Sequence, residues 1–276
     1  MAETVLITGS NSGIGRAAAE RLAAKGYRVV ATMRDLGKGR DLAETAKASG
    51  WDLQTIQLDV RSDASVQSAL SQAGSVDILV NNAGFEVWGP LEEMTVEDLK
   101  DQFETNVYGP FRLITAVLPG MRQRGGGVIV NVTSVAGRVS APLNGLYAAS
   151  KYALEALSES LKYETGHFGI RVHIVEPGGV ETAFTTNRRL VGAASGDGSS
   201  PYKDLVAQWE QASQRLGGGV RATPEAVAEV ILEAIEKGTR LRYPAGQDAQ
   251  MVFTARKAMD DEQFEAAMRQ QLGLSW

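Results

Sequence analysis

The chain of 276 residues has no cysteine. That excludes disulfides, thiolate catalysis and cysteine-based metal sites together. It fits a reducing compartment without proving one. Only two histidines occur, His167 and His173, and they are separated in the chain, so no transition-metal site is expected. No block of Lys and Arg forms a track for a phosphate backbone, and the formal net charge is −5. Nucleic acid is therefore not an expected partner. No apolar run approaches the length that spans a bilayer. The N-terminus opens on Thr4-Val5-Leu6-Ile7, which reads as a strand and lacks the basic and apolar blocks of a leader. A cytoplasmic location is the expectation.

What is present is ordinary for a globular protein: 43% hydrophobic and 22% charged residues, enough for one large domain over residues 1–276. Short apolar runs at Thr4–Thr8, Tyr27–Met33, Leu53–Val60, Ile78–Asn82, Val128–Ser134 and Arg171–Glu176 read as strands. Between them, helical spacing runs over Ile14–Lys25, Arg40–Ser49, Ser65–Ala73, Val96–Met121 and Leu146–His167. This alternation predicts an α/β fold, a Rossmann-type doubly wound parallel sheet with helices on both faces. The rhythm breaks after Ala183, where glycine-rich stretches at 192–201 and 217–219 flank a helical pattern over Tyr202–Leu216. Residues 183–222 read either as a flexible insertion or as a lid over a substrate site. A further helix is predicted over Pro224–Lys237, with Thr223 as N-cap.

Thr8-Gly9-Ser10-Asn11-Ser12-Gly13-Ile14-Gly15 joins the first strand to the first helix. Glycines let the backbone turn tightly and approach a ligand, and the helix start offers N–H groups to a pyrophosphate. A plain strand-to-helix turn would use the same residues, but the position at the first β-α junction favours a dinucleotide. Ser10 and Ser12 can reach its phosphates. At the end of the second strand stands Met33-Arg34-Asp35. An arginine there accommodates a ribose 2′-phosphate, whereas a carboxylate binds the free 2′-hydroxyl. Arg34 makes NADP the expected cofactor; Asp35 keeps NAD as the alternative. Asp59-Val60 at the third strand can accept from an adenine amino group. Asn81-Asn82-Ala83-Gly84 at the fourth permits close backbone approach, although either segment also reads as a turn.

Tyr147 and Lys151 are four residues apart on one helical face. A free phenol titrates at about 10, too high for efficient proton exchange near neutrality, and an ammonium beside it favours the phenolate. Taken alone, the pair also reads as a surface contact. Ser134 ends the apolar strand Val128–Ser134, at the carboxyl edge where open α/β sheets bind ligands, and its hydroxyl can hold a substrate oxygen. The convergence of these three groups on one edge is what suggests catalysis.

With these residues in place, together with Asn106 and Pro177-Gly178-Gly179-Val180-Glu181-Thr182, the chain resembles the compact single-domain branch of the short-chain dehydrogenase/reductase family over residues 4–182. The resemblance implies a tetrad of Asn106, Ser134, Tyr147 and Lys151. In it Tyr147 is the acid/base, Lys151 also holds the nicotinamide ribose, and Asn106 holds a water linked to Lys151. It implies that Pro177, Gly178, Val180 and Thr182 line the nicotinamide, that Arg34 matches an NADP-preferring pattern, and that the chain assembles as a homodimer or homotetramer. Gly89-Pro90-Leu91-Glu92 and Tyr152–Leu157 are similar to the hydroxysteroid and retinol dehydrogenase-like group, which implies a hydrophobic ketone or alcohol as substrate. A nicotinamide-binding redox sensor or scaffold without turnover is the alternative from another class.

Overall fold

The computed structural model describes residues 2–217 and 221–274. Its strands are β1 (Thr4–Thr8), β2 (Arg28–Met33), β3 (Leu53–Gln57), β4 (Ile78–Asn81), β5 (Val87–Trp88), β6 (Gly127–Val132), β7 (Ile170–Pro177), β8 (Arg189–Leu190) and β9 (Arg242–Ala245). All but β5 and β8 form one seven-stranded sheet, ordered β3-β2-β1-β4-β6-β7-β9 and parallel throughout. The strand order reverses between β1 and β4, which opens a crevice at the carboxyl edge.

Side-chain alternation explains why helices cover both faces. Val5, Ile7, Val29, Ala31, Ile78, Val80, Val128 and Val130 point to one side. There they meet α1 (Gly13–Ala24) and α8 (Pro224–Lys237) through residues such as Leu22 and Ile231. Leu6, Val30, Leu79 and Ile129 point to the other side. They pack on α3 (Asp63–Ala73), α5 (Gly109–Arg124) and α6 (Gly145–Thr165). The remaining helices are α2 (Arg40–Ser49), α4 (Val96–Phe103), α7 (Lys203–Gly217), α9 (Gln247–Ala258) and α10 (Asp261–Leu272).

Several expected boundaries shift. The helix expected over Val96–Met121 is α4 and α5 joined by a π-helical turn, Glu104–Tyr108. Pro110 has no N–H to donate to the Asn106 carbonyl four residues back, so the regular ladder cannot run through. β3 stops at Gln57 and β6 at Val132, so Asp59-Val60 and Ser134 stand in the turns beyond the strands rather than closing them. The strand β9 and the helices α9 and α10 were not predicted. Of the segment 183–222, Arg189–Leu190 pairs with β5, and α7 occupies the helical part; Gly218 and Gly219 lie outside the described residues.

A buried amide chain ties the sheet centre to α6. Asn81 Nδ2 donates to Asn131 Oδ1 at 2.9 Å, and Asn131 Nδ2 donates to Ser158 Oγ at 2.8 Å. Asn131→Ala would leave the buried Asn81 amide without its acceptor. It is expected to lower stability by about 2–4 kcal/mol, read as a lower urea midpoint with an unchanged slope.

Candidate active site

A cavity of about 1310 Å³ opens at the carboxyl edge of the sheet. Its wall brings together Gly9, Asn11, Ser12, Gly13, Ile14, Arg34, Asp59, Val60, Asn82, Ala83 and Gly84 at one end. At the other end stand Ser134, Tyr147, Lys151, Pro177, Gly178, Val180 and Thr182. The turn before α1 is shaped for close approach. Gly9 and Gly13 have φ of 69° and 55°, and a Cβ on Gly9 would come within 2.9 Å of the Ala83 Cα. Ser12 is the N-cap of α1, yet its side chain makes no capping hydrogen bond and the first turn carries no acid. By contrast Ser62, Thr95, Thr223 and Asp260 all cap their helices. The first N–H groups of α1 are thus left to an anion, so these residues fit the pyrophosphate of a dinucleotide.

Three expected residues are placed behind the wall. Ser10 is fully buried: its N–H donates to Thr32 O at 2.9 Å and its hydroxyl to Ile7 O at 3.1 Å. It braces the turn and does not face the cavity, which corrects its assignment to the phosphates. Gly15 faces Asn82 Nδ2 and the Gly9 carbonyl, and a Cβ would stand 2.4 Å from each; it permits packing of helix on turn. Asn106 sits in the π-turn, where Nδ2 donates to Phe85 O and Ser150 Oγ, both at 3.0 Å, and Oδ1 accepts from Phe85 N–H at 3.1 Å. Its side chain is thereby consumed as a brace beneath the Phe85 turn.

Around the second strand end, Arg34 is exposed in the wall together with Lys38. Asp35 instead turns back on its own chain and accepts from Gly37 N–H at 2.9 Å, capping a short 3-10 turn.

Lys151 is buried and donates from Nζ to Val132 O at 3.0 Å; burial pushes its pKa down to about 8. Tyr147 is pushed upward from the usual phenol value, first by burial and then by the charge of Glu86, while a hydrogen bond with Ser134 opposes the rise. The ammonium lies 5.6 Å from the Tyr147 ring centroid. Lys151 does not bring about the lowering expected of it here, because desolvation disfavours both charged forms.

Sequence reasoning missed Glu86, Asn144, Arg188, Val252 of α9 and Met268 of α10, all of which line the cavity. Trp88, Phe184 and Trp209, which the sequence offers either as substrate contacts or as packing residues, line it too. Phe184 packs on Tyr147 with ring centroids 5.6 Å apart, and Trp88 is buried beneath Arg188, whose guanidinium carbon is 3.8 Å from its ring centroid. Glu86 is buried and accepts a hydrogen bond from Asn144 Nδ2; burial raises its pKa to about 7 against the opposing charge of Arg188. Leu143, at φ 66°, accepts at its carbonyl from Gly89 N–H and delivers Asn144 to this position. A charged residue between Phe85 and the apolar Val87-Trp88 was the one available signal.

The short chain dehydrogenase family profile matches residues 3–191. The chain belongs to the short-chain dehydrogenase family. Among relatives of this family, retinol dehydrogenase 8 of Homo sapiens is 42% identical over 87% of this chain and 82% of its own length. Type 1 17-beta-hydroxysteroid dehydrogenase of Homo sapiens is 39% identical over 85% and 75%. The chain thus falls in the hydroxysteroid and retinol dehydrogenase-like group of short-chain dehydrogenases. Among solved structures, a short-chain dehydrogenase from Streptomyces avermitilis superposes with TM-score 0.79 at 35% identity, covering 99% of this chain and 97% of that one. Neighbours carry either nucleotide: a short-chain dehydrogenase/reductase of Burkholderia phymatum is in complex with NAD (TM-score 0.79, 29% identity, 93% of each chain). Actinorhodin polyketide ketoreductase is with NADPH (0.74, 31%, 88% and 95%). The chain is therefore a short-chain oxidoreductase of a family that uses NAD or NADP. Among the described residues, no helix is long and apolar enough to cross a membrane.

Behind the short-chain dehydrogenase site, one turn from Lys151, lies a carboxylate pair. Glu155 accepts from Thr133 Oγ1 at 2.6 Å and from Arg242 at 2.9 Å. Glu176 is fully buried, and neither of its oxygens has a hydrogen-bond partner among the described residues. Burial, then the Glu155 charge, raises Glu176 from 4.5 to about 7. The folded state therefore holds a proton that the unfolded chain releases between these values, so this residue weakens the fold as pH rises from about 4.5 to 7. Glu176→Gln is expected to remove a loss on the order of 1–3 kcal/mol, so its melting temperature should fall less than the wild type's across that window.

Proposed function

We propose that the protein is an NADP(H)-dependent oxidoreductase that interconverts a hydrophobic ketone or aldehyde and its alcohol, with Tyr147 as general acid/base. The observation that carries this reading is the meeting of Tyr147, Ser134 and Lys151 with the uncapped start of α1 in one cavity wall. The bound nicotinamide would supply or accept the hydride at the reacting carbon. In the reducing direction the Tyr147 hydroxyl gives its proton to the carbonyl oxygen, and in the oxidising direction the phenolate takes it back. Ser134, in the same wall as Tyr147, orients the substrate oxygen beside it. Lys151 holds the ribose and supplies positive charge when its amine is protonated. Pro177, Gly178, Val180 and Thr182 line the nicotinamide, while Gly9, Asn11, Ser12, Gly13 and Ile14 hold the pyrophosphate. The hydrogen-bonded position of the Asn106 side chain supports a positioning role: it holds the Phe85 turn and Ser150, one residue from Lys151. The segment 183–222 acts as a lid on the substrate end, with Phe184, Arg188 and Trp209 from it in the cavity wall.

Preference for NADP rests on Arg34 and Lys38 in the wall and on Asp35 being engaged by Gly37. A carboxylate already used as a cap is a poor ribose ligand, whereas two cations suit a 2′-phosphate.

Tyr147→Phe is expected to lower turnover by about 10²–10⁴ in NADPH oxidation with a ketone panel, while NADPH still binds. Wild-type rates in this variant would overturn the mechanism, and no turnover by the wild type itself would return the chain to a nucleotide-binding sensor. Arg34→Ala should weaken NADPH binding with little effect on NADH, measured by fluorescence titration. Tighter binding of NADH than NADPH by the wild type would remove the cofactor assignment.

A further inference from the structure

The cavity wall includes the apolar residues Trp88, Val139, Ala141 and Phe184, the last packed on Tyr147, yet it also holds the carboxyl group of Glu86. Glu86 is 5% exposed. One oxygen accepts from Asn144 Nδ2; no donor among the described residues reaches the other, which keeps access to the cavity. Water can satisfy that oxygen in the free protein, but a hydrophobic ligand that displaces the water leaves half the acceptor capacity unused, which is costly unless the ligand brings a donor. The backbone is rigidly held, with its carbonyl accepting from Arg189 N–H at 2.8 Å and β5 beginning at the next residue, so the group stays at the cavity wall.

What would satisfy it is a donor carried by the ligand. Arg188 already supplies positive charge to Glu86. A ligand ammonium would meet that charge, whereas a neutral hydroxyl would not. We propose that Glu86 is a specificity-determining residue that accepts a hydrogen bond from a second hydroxyl of the substrate, so that hydrophobic hydroxyketones and the matching diols are favoured over simple ketones and monoalcohols. The second hydroxyl is bound and not transformed. This deepens the oxidoreductase reading and rests on it for the reacting carbonyl.

The test uses binding as well as turnover. Deoxybenzoin is compared with benzoin, and acetophenone with its ortho-, meta- and para-hydroxy derivatives, by calorimetry on the NADP-saturated protein and by NADPH oxidation. At least one hydroxylated probe should bind about tenfold or more tightly than its parent, since a site built to pair a hydroxyl rejects the analogue lacking it. In Glu86→Gln, which keeps an acceptor for Asn144, and in Glu86→Leu, that ratio should collapse toward one. A wild-type ratio near one for every pair overturns the inference, whatever the variants do. So does a ratio retained in either folded variant, because a residue that only braces Asn144 would change both members of a pair alike. Absence of ketone-dependent NADPH oxidation overturns the oxidoreductase reading instead, and the calorimetric ratio still reports on Glu86.

Discussion

Four hydrogen bonds between the first and fourth strand ends hold the nucleotide turn in place. Thr8 Oγ1 accepts from the N–H groups of Asn82 and Ala83 at 3.0 and 2.9 Å, and Asn82 Nδ2 donates to the carbonyls of Thr8 and Gly9 at 2.9 and 3.2 Å. A glycine-rich turn left to itself carries a large entropy and no fixed shape. Welded to β4 at the point where the strand order reverses, it has one shape, with Gly9 pressed against Ala83 and α1 starting in a set direction. Everything at the carboxyl edge inherits that reference. The uncapped N–H groups of α1 can meet an anion at a fixed place only because the turn before them cannot drift.

The reacting end depends on the opposite kind of constraint, burial that keeps ionisable groups close to neutrality. Tyr147 and Lys151 share a face of α6, Glu86 is near enough for its charge to act on Tyr147, and all three are buried. Desolvation moves the phenol and the carboxyl up and the ammonium down, so each lies nearer its neutral form than a solvated group would. In such surroundings a single added charge matters more than it does in water. A positive charge beside Tyr147 favours the phenolate, and a negative one at Glu86 opposes it. The state of the substrate pocket and the readiness of the acid/base are therefore electrostatically linked.

Much of this was legible in the residues. The alternation of Val5-Leu6-Ile7 and Val128-Ile129-Val130 between two covered faces follows from period-two geometry, and the parallel sheet with it. The glycine turn, Ser134, and the Tyr147 and Lys151 spacing are local patterns, and they converge because strand ends share an edge. What was not legible depends on contacts distant in the chain. β9 is four residues long and includes Pro244, so no run announces it; its place comes from pairing with β7. Ser10 looked like its neighbour Ser12, and only the packing of Thr32 and Ile7 against it turns its hydroxyl inward. The π-turn was written in Gly109-Pro110, a signal that a search for helical periodicity passes over.

The two halves of the cavity differ in origin. The nucleotide half comes almost wholly from turns after β1 to β4, within the residues that match the family profile. Its chemistry is that of backbone N–H groups and small residues, which tolerates little change. The substrate half draws on Trp209 of α7, Val252 of α9 and Met268 of α10, beyond the matched residues, and on single side chains such as Glu86. Those elements pack through surface contacts rather than sheet hydrogen bonds, so they can be exchanged without disturbing the turn that Thr8 and Asn82 hold. Substrate choice in the proposed reaction is consequently carried by the parts of the fold that the sheet constrains least, while Tyr147, the proposed acid/base, is carried by a helix tied to the sheet through Asn131 and Ser158.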